Sequence, residues 1–150
     1  NATAIFRGDP VTLEADGNVA AAGIAGRVLG VVVGIKYEQG TAATEHPGYL
    51  PATTQGTVMV AIDRNAVYEV QASAAALTLA DVGMNIDSVA GAGSADTGRS
   101  AYEIDDTTVL AANGQFRIIG LVNKPDNAVG ANARYLVVVN EGHLTSEVGI

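Results

Sequence analysis

The chain has 150 residues, no cysteine and a formal net charge of −8 at pH 7. This length suits one domain with a sizeable core, and without cysteine neither disulfides nor thiolate metal sites can form. Because acidic residues outnumber basic ones, the protein offers no basic surface to a phosphate backbone, and we expect no nucleic-acid partner. The longest apolar run, residues 28–35, is far shorter than the roughly 20 residues that cross a bilayer, so we expect no membrane partner.

The sequence does not open with the basic and then apolar segments of a signal peptide. We therefore expect a soluble protein that is made in the cytoplasm. Hydrophobic residues make up 48% of the chain, but aromatic residues make up only 5% and tryptophan is absent. The core is thus expected to consist of aliphatic side chains on closely packed strands.

Residues 1–9 are predicted to form an extended N-terminal arm, and residues 10–150 the body. Gly8-Asp9-Pro10 is a turn signal, and its proline has no amide hydrogen with which to continue a strand ladder. We expect such an arm to be mobile in the free protein and to add a strand to a neighbouring sheet edge on docking. The alternative is an ordinary first strand that is tied into its own sheet.

The next segments alternate between strand and turn signals. Asp-Gly within residues 16–18 predicts a hairpin turn. Residues 27–37 are rich in β-branched side chains and are predicted to form a long strand that bends at Gly30 and Gly34. Residues 38–56 combine glycine and proline with small polar residues, which predicts one long loop.

The second half continues in the same way. Residues 57–62 and 67–72 are predicted to pair as a hairpin around the turn at 63–65, and strands are predicted at 115–122 and 133–139. Strands and turns at this spacing, with almost no helical periodicity, indicate a single all-β domain. A compact barrel with long loops is the expected architecture.

Candidate chemical groups are few and isolated. His46 beside Glu45, and likewise His143 near Glu141, could serve as a general base or a metal ligand, but neither has further ligands at metal spacing. Asp105-Asp106 resembles half of a cation loop, yet it lacks the alternating ligands that calcium needs. Solvated loop histidines and a self-bonded turn are the simpler interpretations.

A hydrolase on a β scaffold would require Glu45, His46 and Asp96 to converge. The sequence contains neither Gly-x-Ser-x-Gly nor His-Glu-x-x-His, so no local motif supports that arrangement. We therefore expect no enzymatic activity, no bound metal and no cofactor.

Arg99, Arg117 and Arg134 each lie at or near the start of a predicted strand. Arginine is favoured at interfaces because its planar fork can bind carboxylates through two hydrogen bonds. The three residues are therefore candidates for contacts between subunits. Solvated strand ends, or ion pairs with acidic residues of neighbouring strands, are the equal alternative.

Several short segments follow one another in a fixed order along the chain: Phe6-Arg7-Gly8-Asp9-Pro10-Val11, Leu29 to Gly34, Tyr68-Glu69-Val70-Gln71, Asp81-Val82-Gly83-Met84-Asn85, Gly98-Arg99-Ser100, Arg117 to Leu121 and Pro125-Asp126-Asn127. In these segments the chain resembles the capsid decoration (cement) proteins of tailed bacteriophages. One departure is the turn at residues 63–65, where these proteins often have Asp-Pro. The resemblance covers nearly the whole chain.

The resemblance implies a β-barrel or tulip-like module on the capsid exterior that binds the major capsid protein lattice, commonly as a homotrimer, and reinforces it. It implies no catalytic residues. Clusters of small residues at 20–26, 72–76 and 90–95 are compatible with close approach between subunits. A virion fibre or receptor-binding domain is the alternative, although it would need an exposed aromatic cluster.

Capsid contacts are expected mainly along the N-terminal arm and the long loop. The candidate contact residues are Thr3, Ile5, Phe6, Arg7, Pro47 and Tyr49.

Overall fold

A computed structural model describes residues 3–37, 48–74, 77–109 and 112–144. Its strands are, in chain order, β1 (Pro10–Leu13), β2 (Val19–Ala21), β3 (Gly30–Tyr37), β4 (Gly56–Ala61), β5 (Tyr68–Gln71), β6 (Asn85–Ile86), β7 (Ser88–Val89), β8 (Glu103–Ile104), β9 (Phe116–Leu121) and β10 (Arg134–Val139). A three-residue 3-10 turn spans Leu79–Asp81.

The strands form antiparallel sheets. One four-stranded sheet has the order β2-β1-β3-β4, a second has the order β5-β10-β9-β6, and β7 pairs with β8. The prediction of a single all-β domain is confirmed. Over the described parts of the chain, these sheets do not close into a barrel.

The first sheet follows the local sequence signals closely. β1 and β2 form the predicted hairpin, and Gly17 takes a positive φ of 84° in its turn. β3 pairs with β4, and the register shifts between Val32 and Gly34. This irregularity is a β-bulge, which bends the strand at the second glycine of the predicted long strand.

The predicted hairpin between residues 57–62 and 67–72 is wrong. Both strands exist, but β4 pairs with β3 and β5 pairs with β10, so the chain crosses from one sheet to the other between them. A turn does form at 63–65, where the Asn65 amide donates to the Asp63 carboxylate. The local sequence predicts the two strands and the turn between them. Packing against distant segments determines which strand each of them pairs with.

Two hydrophobic clusters make up the core. The larger lies under the second sheet, where alternate residues of β9 and β10 are buried. The smaller joins Ile5, Val11, Val32 and Leu50 beneath the first sheet. The aliphatic core expected from composition is confirmed, although Tyr135 and Phe116 also contribute to the larger cluster.

A buried glutamine joins separate parts of the fold. Gln115 is 0% exposed. Its Oε1 accepts hydrogen bonds from the amide and the hydroxyl of Ser88, at 2.8 and 2.7 Å. Its Nε2 donates to the carbonyl oxygens of Gly23 and Gly26, at 2.7 and 2.8 Å. Its main-chain oxygen accepts from the Asn140 amide, so one residue holds four segments together.

Replacing this glutamine with leucine should be strongly destabilising. Gln115→Leu introduces an apolar side chain of similar size, which leaves Ser88 and the two glycine carbonyls without their hydrogen bonds to the glutamine amide. Each buried polar group left unsatisfied costs about 1–3 kcal/mol, so we expect a loss of about 3 kcal/mol or more in the free energy of unfolding. Urea denaturation measures this change.

Gln55→Leu is the matched control, because Gln55 is exposed. Its free energy of unfolding should stay within about 0.5 kcal/mol of the native value. Similar urea midpoints for the two variants would contradict a central role for Gln115.

Candidate functional site: the N-terminal segment and the adjacent cleft

The N-terminal segment, residues 3–9, is tied into its own chain. The amides of Ile5 and Leu50 each donate to the other residue's carbonyl at 2.8 Å. Ile5 is 1% exposed and packs with Val11 and Val32. This arrangement is that of an ordinary first segment joined to the body, which was the alternative to a free arm.

The middle of the N-terminal segment lies against residues 98–100. The Arg7 amide donates to the Gly98 carbonyl at 3.1 Å, and the Ser100 amide donates to the Arg7 carbonyl at 2.8 Å. Gly98 has a φ of 65°, and a Cβ there would lie 2.6 Å from the Gly48 carbonyl oxygen. Only glycine fits at position 98, where the backbone passes close to Gly48. The next residue, Arg99, thereby lies beside Arg7.

An aromatic pair fixes the outer side of the N-terminal segment. The rings of Phe6 and Tyr49 are stacked, with centroids 4.6 Å apart and planes 13° from parallel. Gly93 lies so close to the Phe6 ring that a Cβ there would come within 2.4 Å of it. Phe6 is therefore held on two sides, and both rings of the pair are half-buried.

Asp9 is a buried carboxylate at the turn that ends the segment. It is 3% exposed, and its Oδ2 accepts a hydrogen bond from the Phe6 amide at 2.8 Å. Burial raises the pKa of Asp9, and hydrogen bonds from Ser100 and the Phe6 amide offset only part of that effect. The Asp9 carboxylate thus accepts the hydrogen bond that closes the turn, although burial removes the carboxylate from water.

The candidate capsid contacts differ widely in exposure. Thr3 and Arg7 are exposed, Phe6 and Tyr49 are half-buried, and Ile5 is buried in the core. Pro47 lies outside the described residues. Ile5 therefore cannot touch a partner while the segment keeps this position. The boundary between arm and body at residue 9 stays a prediction.

The three candidate intersubunit arginines have different surroundings. Arg134 contacts Glu69 at 3.3 Å and Asp126 at 3.0 Å. Arg117 donates to the side-chain oxygens of Asn85 and Asn140. Arg99 is exposed and makes no ion pair with another described residue. Arg134 and Arg117 thus have partners within their own chain, and the role of all three between subunits stays a prediction.

Beside the N-terminal segment a cleft of about 620 Å³ opens between the sheets. This volume lies in the range of about 300–1,000 Å³ that is usual for ligand sites. Its floor contains Ile104, Phe116 and Val137, which belong to the larger core cluster. One wall is the run of residues 67–71, which includes all of β5.

Polar groups surround the cleft. Arg7 and Arg99 lie on one side of it, and neither forms an ion pair with another described residue. The Glu103 carboxylate accepts from the Gln71 side-chain amide at 2.8 Å. The Tyr102 hydroxyl donates to a carbonyl oxygen at 2.7 Å, and burial, with a smaller contribution from the charge of Asp9, raises its pKa to about 12. Tyr102 is therefore a fixed hydrogen-bond donor and not an acid–base group at neutral pH.

His143 has a structural environment. Its Nε2 accepts a hydrogen bond from the Leu13 amide at 3.2 Å and lies 2.8 Å from the Thr12 hydroxyl. The ring is therefore held as the neutral tautomer with its proton on Nδ1. Burial, followed by the charge of Arg27, lowers the pKa of His143. The histidine joins the end of the described chain to β1.

The other candidate chemical groups form no site. Glu45 and His46 lie outside the described residues. The Asp105 carboxylate accepts from the amide and hydroxyl of Thr107, as in a self-bonded turn. In the described ranges no group of three or more His, Asp or Glu side chains is arranged to hold a metal ion, and no helix is long and apolar enough to cross a bilayer.

No family model, curated protein or solved structure matches this chain. The resemblance to decoration proteins therefore rests on the sequence motifs alone.

The cleft was not predicted from the sequence. Its walls come from the N-terminal segment, β1, β3, β5 and residues 99–104, which are far apart in the chain. The only local signal was Gly98-Arg99-Ser100, which marks a turn that carries a cation and a hydroxyl. No periodicity indicates that this turn meets β5 across a cavity.

Truncating Ile5 should test whether the N-terminal segment supports the free protein. Ile5→Ala removes a fully buried side chain, so we expect a loss of about 2–5 kcal/mol in the free energy of unfolding, measured by urea denaturation. Ile24→Ala is the control, because Ile24 is 61% exposed. If Ile5→Ala were as stable as this control, the segment would be dispensable to the isolated fold.

The stability of the protein should depend on the protonation of His143. The pKa of His143 in the folded protein lies below the ordinary value of 6.5. The neutral ring therefore makes its full contribution to the free energy of unfolding above pH 6.5. This contribution is lost as the pH falls through the folded pKa. His143→Gln supplies an uncharged acceptor to the Leu13 amide and should remove this dependence.

The measurement is the difference in unfolding free energy between the native protein and His143→Gln across this pH range. Other titrating groups are common to both proteins and cancel. We expect the native protein to lose stability relative to the variant on acidification, whereas parallel curves would contradict the assignment.

Proposed function

We propose that this protein is a structural component of a phage virion that binds the outside of the assembled capsid and reinforces it. The observation that carries the proposal is the geometry of residues 6–11, the segment in which the resemblance to decoration proteins begins. These residues form a fixed turn that presents Arg7 beside Arg99 at the surface.

A docking role suits the electrostatics of the N-terminal segment. The chain carries a net charge of −8, yet Arg7 and Arg99 are adjacent, exposed and without an ion-pair partner among the described residues. A local cationic site on an acidic protein favours one orientation of approach to an acidic surface. Because the turn is already held by Asp9 and the Phe6–Tyr49 stack, little conformational entropy is lost on binding.

Self-association as a homotrimer on the capsid is the second part of the proposal. β4 is the edge of its sheet and contains no charged residue or proline, the usual protections of a free edge. Met59 on β4 and Ile62 just after it are each more than half exposed. A second copy that covers this edge would remove apolar surface from water, and β4 itself contains no acidic residue.

A fibre or receptor-binding domain is less well supported. Glycan recognition uses exposed aromatic rings, and the described tyrosine side chains have other roles. Tyr49 is stacked on Phe6, and the hydroxyls of Tyr68, Tyr102 and Tyr135 donate to carbonyl oxygens of their own chain.

The proposal can be tested with undecorated capsids of the phage that encodes the chain. The protein should co-sediment with these capsids and raise the temperature at which they release DNA. Arg7→Glu should lower the affinity for capsids at least about tenfold, which corresponds to 1.4 kcal/mol. Binding of the native protein should also weaken as salt is added.

Arg64→Glu is the matched control, since Arg64 is exposed in the turn that follows β4. It makes the same charge change away from the N-terminal segment and should bind like the native protein. Equal heat resistance of bare and fully occupied capsids would overturn the reinforcing role.

A further inference from the structure

The cleft beside the N-terminal segment has a strand edge as one wall. β5 is the terminal strand of the order β5-β10-β9-β6, so only one of its edges pairs with β10. In an antiparallel pair, main-chain groups point alternately toward and away from the partner. The Ala72 amide donates to Ala133, which continues the β10 side of this pattern. The main-chain groups of Glu69 and Gln71 therefore point away from β10.

The same edge already accepts a strand at its far end. Ala72 forms a parallel bridge with Ile104, and the Ser73 amide donates to the Ile104 carbonyl at 3.0 Å. A parallel bridge at Ala72 pairs the Gln71 carbonyl with the Ile104 amide, so β8 occupies the edge from that carbonyl onward. The outward main-chain groups of Glu69 and the Gln71 amide face the open cleft, which residues 67–71 line. An extended chain lying in the cleft could continue this pairing along β5.

The floor of the cleft is suited to an apolar side chain. Val70, Ile104, Phe116 and Val137 line it and belong to the larger core cluster or pack against it. A side chain that enters this space would contact residues of the core itself. Anchors of this kind, an aromatic or bulky aliphatic group in a preformed pocket, contribute most of the affinity in peptide recognition.

The side of the cleft formed by the two arginines favours a carboxylate beside that anchor, because the two lining glutamates have partners of their own. Glu69 is paired with Lys124 and Arg134, and Glu103 accepts from the Gln71 side chain. Arg7 and Arg99 lie on adjacent backbone positions and both line the cleft. Their guanidinium groups have no acidic partner among the described residues. Arginine binds carboxylates through paired hydrogen bonds, and partial exclusion of water in a cleft strengthens this attraction.

We propose that the cleft binds an extended peptide segment in which carboxylates flank a bulky apolar side chain, and that the peptide adds a strand to β5. The apolar side chain occupies the floor formed by the core residues. The carboxylates bind Arg7 and Arg99. This ligand class does not depend on the capsid proposal, because it follows from the cleft alone.

The test uses the full chain labelled with nitrogen-15 and the blocked peptide acetyl-Glu-Thr-Phe-Glu-Thr-amide. We expect its amide shift changes to centre on residues 67–71 and 99–104, with a dissociation constant of about 1 mM or lower. A peptide with Lys in place of Glu should bind at least tenfold more weakly. A peptide with Ser in place of Phe should lose binding to a similar extent.

Two pairs of variants separate the cleft from the remaining surface. Val67→Trp places a large side chain at the cleft, whereas Val129→Trp makes the same change at another exposed valine, away from the residues that line the cleft. Arg99→Gln removes a cleft cation, whereas Arg64→Gln removes an exposed arginine elsewhere. The cleft variants should weaken binding at least tenfold and the controls less than twofold, with native amide spectra in each case.

Scattered shift changes, or no change at millimolar peptide, would overturn the proposal. Equal binding of the Lys peptide would overturn the role of the arginines. Binding of decanoate at the cleft without binding of the peptide would assign the site to a small amphiphile and overturn the peptide class. Peptide binding that persists when capsid binding fails would leave this inference in place, so the two proposals fail separately.

Discussion

The rest of the structure depends on the buried side chain of Gln115. The two hydrophobic clusters are separate, and dispersion forces alone do not specify how one sheet sits on the other. Gln115 sets that relation because its amide can satisfy donors and acceptors at once. Through Gly23 and Gly26 it holds the segment that follows β2, and through Ser88 it holds β7. A buried polar network of this kind specifies one arrangement because every alternative leaves groups unsatisfied.

The N-terminal segment provides a second connection, and it builds the candidate site. Ile5 packs in the smaller cluster and holds the segment there. Asp9 closes the turn that places Arg7 beside Arg99. Buried positions that make the fold and exposed positions therefore alternate within a few residues. A motif that resembles decoration proteins can thus contain both buried and exposed residues, and only the exposed ones are available for contact.

Local signals predicted the elements well and their partners poorly. The strands at 115–122 and 133–139 were predicted because apolar segments of a length typical of strands lie on either side of the loop at 123–132, the first of them directly after the turn at 113–114. The hairpin at 57–72 was wrong because alternation does not record which strand lies alongside. The cleft required distant segments to meet, and no short pattern contains that information. The arginines were noticed by residue type, but only their neighbours distinguish Arg134, which is paired within the chain, from Arg99, which is not.

The bond between His143 and Thr12 has a consequence for how the chain is made. It joins residues 131 positions apart, and Gln115 joins segments separated by 89 and 92 positions. A ribosome must therefore release the chain as far as residue 143 before β1 can acquire this contact. Folds dominated by such distant pairings form slowly, because a long loop must close before any contact compensates for the lost entropy. The exposed strands of the nascent chain are consequently open to pairing with other chains throughout synthesis.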